Sequence, residues 1–290
     1  MLLELTTEQC NALTQLSGAL AVLLCGAGTL GIAWHLCSPL VKAAPRPATR
    51  LGLGSLAEVA LVFLALWIGI STLAFQLAGE APRAEPTAAS ADQVDGPART
   101  LGVVAGFVVI TIANLFTAAY IVLINQRRGG RVADFGLRRS RFGPTVLFTI
   151  GLYIGFVPIV YGLLLATKAI YLFFDLSLPQ QAAVEALAKD PAVMGNLFFI
   201  AGVCVTTPIL EEFIFRGFLY GVLRQFLPVV PAMALSALAF GILHDARVPL
   251  ILVLAGFLAF LYERTGSLLA PVLCHIVHNS ATILLIRLWP

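Results

Sequence analysis

The chain has 290 residues, 59% of them hydrophobic and 11% charged, with a mean hydropathy of +0.94. A water-soluble fold of this length could not bury so much apolar surface, whereas a lipid solvent removes the difficulty, so a bilayer is the expected partner. The net charge of +3 comes from arginines in short connections between apolar runs, with no basic domain face, and no nucleic-acid partner is expected.

The N-terminal stretch carries Glu4 and Glu8 where a signal peptide would carry Lys or Arg, so the first apolar run reads as a retained span. Runs long enough to cross a bilayer fall at 12–37, 56–78, 101–125, 145–173 and 193–210, the last continuing as a helical pattern to 226. Shorter apolar stretches follow at 231–244, 249–262 and 267–286. The expected fold is all-α, a polytopic membrane bundle of about eight transmembrane helices. A composition shift near 190 separates long plain spans (1–190, an N-terminal variable region) from short helices bearing polar residues (191–290, a catalytic-type membrane domain). The five cysteines, Cys10, Cys25, Cys37, Cys204 and Cys274, mostly lie in apolar runs with no CxxC pair and read as small buried hydrophobes.

The connections carry the charge. Segment 38–50 holds Lys42, Arg46 and Arg50 with no acid, and segment 126–142 holds six arginines against Asp134 alone. The positive-inside rule places both in the cytoplasm. Alternation then puts the turns near Arg224 and at Glu263-Arg264 on that same side. Segment 79–100 reads as an exposed loop, and segment 174–192 as a connection with a short amphipathic helix from Pro179 to Ala188.

Ionisable residues at bilayer depth cost at least ~2.5–3.5 kcal/mol each and tend to mark sites. Three clusters qualify: Glu211-Glu212 with Arg216, Phe240 with His244, and His275 with His278 and Asn279. At a helical rise of ~1.5 Å per residue, Glu211, His244, His275 and Asn279 fall roughly 22, 18, 12 and 18 Å from the inner end of their helices. Glu212 and Arg216 are four apart on one face and can pair, as can His275 and Asn279 aim at one point, while Glu211 points about 100° away from Glu212. Pro208 weakens the backbone ladder just before the glutamates.

A carboxylate and an imidazole sharing one water can deprotonate it for attack on a carbonyl, and a second imidazole with an amide N–H can stabilise the resulting oxyanion. Glu211 with His244, and His275 with Asn279, make such a set. The same Glu211, His244 and His275 could instead bind Zn²⁺ as a His₂Glu site. Each residue alone also admits a plain role: an interfacial carboxylate pair, a histidine at a helix end, or hydrogen-bond glue between helices, the reading given to His278. A thiol nucleophile at Cys274 is disfavoured because adjacent helix residues diverge.

Taken together, Glu211-Glu212-x-x-x-Arg216, Phe240-x-x-x-His244 and His275-x-x-x-Asn279 resemble the CPBP family of intramembrane endopeptidases, also called the type II CAAX prenyl endopeptidase or ABI family. The connecting text agrees, with Thr-Pro-Ile-Leu before the glutamates and Tyr-Glu-Arg-Thr-Gly-Ser-Leu-Leu-Ala-Pro ahead of His275. The resemblance covers roughly 195–286. It implies Glu211 as the water-activating carboxylate with His244 as its partner, His275 and Asn279 as the oxyanion pair, and Glu212 and Arg216 as supporting residues. It implies a metal-free intramembrane endopeptidase, with zinc the alternative. The substrate would be a membrane-associated or CAAX-like C-terminal peptide. A bacterial plasma membrane location follows, with the site reached from the cytoplasm. A catalytically silent immunity or binding protein of the same fold is the other functional reading. A proton-relaying transporter lacks an inverted repeat in its favour.

Overall fold

The computed structural model describes residues 6–41, 49–78, 96–137, 142–176, 195–244 and 248–288. Among them eight helices run in chain order: α1 Thr7–Cys37, α2 Leu53–Ala78, α3 Gly96–Arg127, α4 Phe142–Phe173, α5 Leu197–Phe226, α6 Val229–Ile242, α7 Val248–Thr265 and α8 Leu269–Leu288. Short 3₁₀ turns lie at Ser38–Leu40 and Val132–Phe135. Six helices are long and apolar enough to cross a membrane, and α6 is a shorter apolar helix of 14 residues. The chain is an integral, multi-pass α-helical membrane protein.

Helix starts follow local chemistry more than apolarity. α1 begins five residues before its apolar run because Thr6 and Gln9 form a capping box, with Glu8 in the first turn complementing the helix dipole. α3 begins at Gly96, inside the segment expected to be loop, because Pro97 is suited to a first turn whose N–H groups lack partners anyway. The expected helix at 179–188 lies outside the described residues, as do 79–95. Of the cysteines, Cys204 and Cys274 are buried, Cys37 is half-buried, and Cys10 and Cys25 face outward. The last two depart from expectation: apolar composition buries a residue only when a neighbouring helix covers its face, and a lipid-facing side chain needs no cover.

Two compact units divide the chain. The first comprises Met1–Arg46, Arg138–Gln181 and Pro228–Cys274. Its spine is α1 packed along α4, and the contact is close because Gly155 admits the backbone of α1. A Cβ there would stand 2.7 Å from Ala33 Cβ and 3.0 Å from Leu30 Cα. Thr29 Oγ1 donates to the Gly155 carbonyl at 3.0 Å, fixing the same crossing. Gly155→Ala is expected to lower stability by roughly 1–3 kcal/mol through overpacking. Gly18→Ala, where a Cβ meets nothing within 4 Å, should leave the melting temperature in detergent unchanged or higher. Phe156 stacks on Phe257 of α7 at 4.0 Å. Arg264, in the last turn of α7, lies 5.2 Å over the ring of Trp34 near the end of α1. These helix ends, placed on one side of the membrane by charge counting, do meet.

The second unit comprises Pro47–Leu137, Ala182–Leu227 and His275–Pro290. Its core sets Phe199, Cys204 and Ile283 against Phe107 and Val203. Polar bonds tie its helix ends together. The Arg50 N–H donates to Asn125 Oδ1 at 3.1 Å, and Gln225 Nε2 donates to Thr49 Oγ1 and the Leu51 carbonyl, each at 3.1 Å. The connection ending at Arg50, the loop after Asn125 and the turn after Gln225 therefore share one side, as alternation requires.

Candidate active site

α5 is not uniformly α-helical. It passes through π turns at Gly202–Thr206 and again at Phe213–Tyr220, with Glu211 and Glu212 between them. Such wide turns recur where a helix is shaped around a site. Pro208 explains the first. The Thr207 N–H reaches back five residues to the Gly202 carbonyl. The next bond in that register would run from residue 208 to Val203, and proline has no N–H to make it. Asn279 of α8 takes the vacated place, its Nδ2 donating to the Val203 carbonyl at 3.0 Å. One proline thus creates the acceptor on which α8 docks, and the second N–H of the amide is directed by that docking.

Three residues after Pro208 the carboxylates begin. Glu212 and Arg216 are fully buried and pair at 2.9 Å, four residues apart as the spacing predicts. The same Glu212 oxygen, Oε1, lies 2.8 Å from His275 Nδ1, while its Oε2 is buried without a hydrogen bond among the described residues. Glu211 approaches the other side of that ring, its Oε2 3.9 Å from His275 Nε2. His275 is only 5% exposed. Both glutamates therefore address one imidazole, one at each nitrogen. The sequence pairs Glu212 with Arg216 and does not reveal the bond to His275, because nothing in local spacing couples residues 63 positions apart.

His244 belongs to the first unit. α6 ends at Ile242 with Leu243 as its C-cap, so His244 stands just past the helix rather than inside the expected 231–244 stretch. The helix stops there because two groups of His244 satisfy its terminal carbonyls. The backbone N–H donates to Gly241 O at 3.1 Å, and ring Nδ1 lies 2.7 Å from Phe240 O. The imidazole also stacks on the Phe240 ring at 4.1 Å. The Phe-x-x-x-His spacing thus has a local cause, since position i offers both a carbonyl and a ring to the side chain at i+4. A carbonyl only accepts, so the proton of neutral His244 sits on Nδ1 and Nε2 is its accepting nitrogen.

The structure brings Glu211, Glu212, Arg216 and His275 together, docks Asn279 on the same helix as the glutamates, and gives His244 a fixed tautomer. His278 lies one turn before Thr282, whose hydroxyl donates to the His278 carbonyl at 2.9 Å. Among the described residues no three His, Cys, Asp or Glu side chains are grouped as metal ligands.

A buried carboxylate–imidazole cluster thus lies on apolar, membrane-spanning helices of a polytopic membrane protein. Residues 193–281 match the family model described as type II CAAX prenyl endopeptidase Rce1-like, in keeping with the resemblance of the three motifs to the CPBP family. Similarity extends to a protein of Bacillus subtilis (strain 168) named "Putative membrane peptidase YdiL", 35% identical over 83 residues, covering 28% of this chain and 34% of that protein. The chain thus matches about a third of the length of that curated relative. No solved structure matches the chain.

Proposed function

We propose that the chain is an intramembrane endopeptidase in which Glu211 and His244 activate a water and His275 and Asn279 receive the oxyanion. The observation that carries this reading is the convergence of two glutamates on the buried ring of His275, 2.8 and 3.9 Å from its two nitrogens. A purely structural pair needs no second carboxylate, and burying one is costly. His244 suits the acceptor role because its Nδ1 is turned to the Phe240 carbonyl. Asn279 suits the donor role because one amide N–H is anchored and the other is thereby aimed. The substrate class is a peptide at or near the membrane surface, a C-terminal CAAX-like segment being the form the family description suggests. The active site is reached from the cytoplasmic face of a plasma membrane, the side assigned by the arginine-rich connections.

The chemistry is metal-free. The motifs supply an oxyanion-type pair, His275 with Asn279, as well as the Glu211–His244 pair, which leaves fewer residues to serve as ligands. The test is the purified full chain incubated with a peptide library, with mass-spectrometric detection of products. Cleavage that His244→Ala lowers by about 100-fold or more is expected. Cleavage unaffected by that substitution removes His244 from the mechanism. Loss of activity in a chelator with return on added Zn²⁺ replaces the metal-free reading.

A further inference from the structure

We infer that Glu212 is a positioning residue that sets the tautomer of His275 and thereby turns the accepting nitrogen of that ring toward Glu211. The catalytic consequence rests on the peptidase reading; the tautomer does not.

A carboxylate oxygen only accepts, so the 2.8 Å contact between Glu212 Oε1 and His275 Nδ1 places the ring proton on Nδ1. In the neutral ring Nε2 then carries a lone pair. That nitrogen is the one facing Glu211 Oε2 at 3.9 Å, a span short enough for one water to hydrogen-bond both. Arg216 donates to the same Glu212 oxygen at 2.9 Å, so the acceptor cannot swing away without breaking two bonds at once. Glu212, Arg216 and His275 are all buried, and bulk water does not compete for these bonds.

An oxyanion needs a donor, and neutral His275 in this tautomer has none at Nε2. The proton it needs is the one the water gives up. Glu211 takes that proton, the water oxygen adds to the carbonyl carbon, and the π pair moves onto the carbonyl oxygen. The proton passes from Glu211 to His275 Nε2, and the resulting imidazolium donates Nε2–H to the oxyanion. On collapse the C–N bond breaks, its electron pair goes to nitrogen, and the imidazolium protonates the leaving amine. Glu211 is thereby returned as a carboxylate and His275 as the neutral Nδ1–H ring. Glu212 touches neither water nor substrate in this sequence; it decides which nitrogen does.

The test is ¹⁵N NMR of the full chain in detergent micelles with ring-labelled histidine, His275 being assigned by the signal lost in His275→Gln. At the alkaline end of a pH series, where the ring is neutral, a pyrrole-type shift at Nδ1 and a pyridine-type shift at Nε2 are expected. In Glu212→Leu with Arg216→Met, which removes the acceptor and the guanidinium together, His275 should move to a mixture of tautomers. A wild-type ring protonated at Nε2, or a double variant with an unchanged tautomer, overturns the inference. With a cleavable peptide in hand, Glu212→Gln should lower kcat by about a hundredfold with KM within about twofold, and Glu212→Asp should restore part of the rate. Unchanged kcat in Glu212→Gln overturns the catalytic consequence. A wild-type chain that cuts no peptide sinks the peptidase reading instead, and the NMR arm still decides the tautomer.

Discussion

Arg216→Met is expected to destabilise the folded chain by about 3–5 kcal/mol, the usual cost of breaking a buried ion pair from one side. Both partners are fully buried, and the guanidinium meets Glu212 Oε1 at 2.9 Å. Removing it leaves a carboxylate in apolar surroundings with the His275 N–H at 2.8 Å and an Oε2 that is already without a hydrogen bond. The substitution keeps side-chain volume, so the loss reports charge rather than a cavity. Adding Glu212→Leu to Arg216→Met should recover more than half of it, because replacing both members of a buried pair by apolar groups is often neutral. The measurement is the unfolding equilibrium in mixed micelles of graded denaturing detergent. A single variant within about 1 kcal/mol of wild type would show the pair to be dispensable.

Glu211→Gln should behave in the opposite way, leaving the fold alone and removing activity. Its side chain is 13% exposed, and the amide is nearly isosteric with the carboxylate. What it loses is the ability to accept a proton from water. General-base contributions run at about 10²–10⁴-fold, and a loss of kcat in that range is expected with a melting temperature close to wild type. Steady-state cleavage of a peptide taken from the library gives the first number, and thermal unfolding in the same detergent gives the second. Cleavage retained in Glu211→Gln would assign the base to another residue. The contrast between adjacent glutamates is sharp: position 211 is expected to affect rate alone, while 212 carries both structure and rate.

Among the described residues helix number and order were legible because lipid imposes a length on apolar runs, and the eight stretches read along the chain correspond to α1–α8. The start of α1 was legible in principle from Thr6-x-x-Gln9, a capping box that apolarity counting passed over. The start of α3 required weighing Pro97 as a first-turn residue rather than as a loop marker. The Glu212–Arg216 pair was legible because both members lie on one helix. The acceptor for Asn279 was hidden, since it is a backbone carbonyl released by a proline five residues further on. The role of Phe240 was half-visible: its spacing from His244 was plain, but the helix end that joins them appears only in three dimensions.

By itself, the sequence determined a multi-pass helical membrane protein, the helix ends that share one side, and the polar residues whose burial in lipid requires a reason. Those properties are set by transfer free energy and by periodicity along a single segment. Only the tertiary structure decided that one imidazole would stand between Glu211 and Glu212, with a carboxylate addressing each nitrogen. That arrangement depends on how α8 docks against α5, and the docking is fixed by a π turn whose orphaned carbonyl Asn279 takes up, a contact that no spacing along one segment shows.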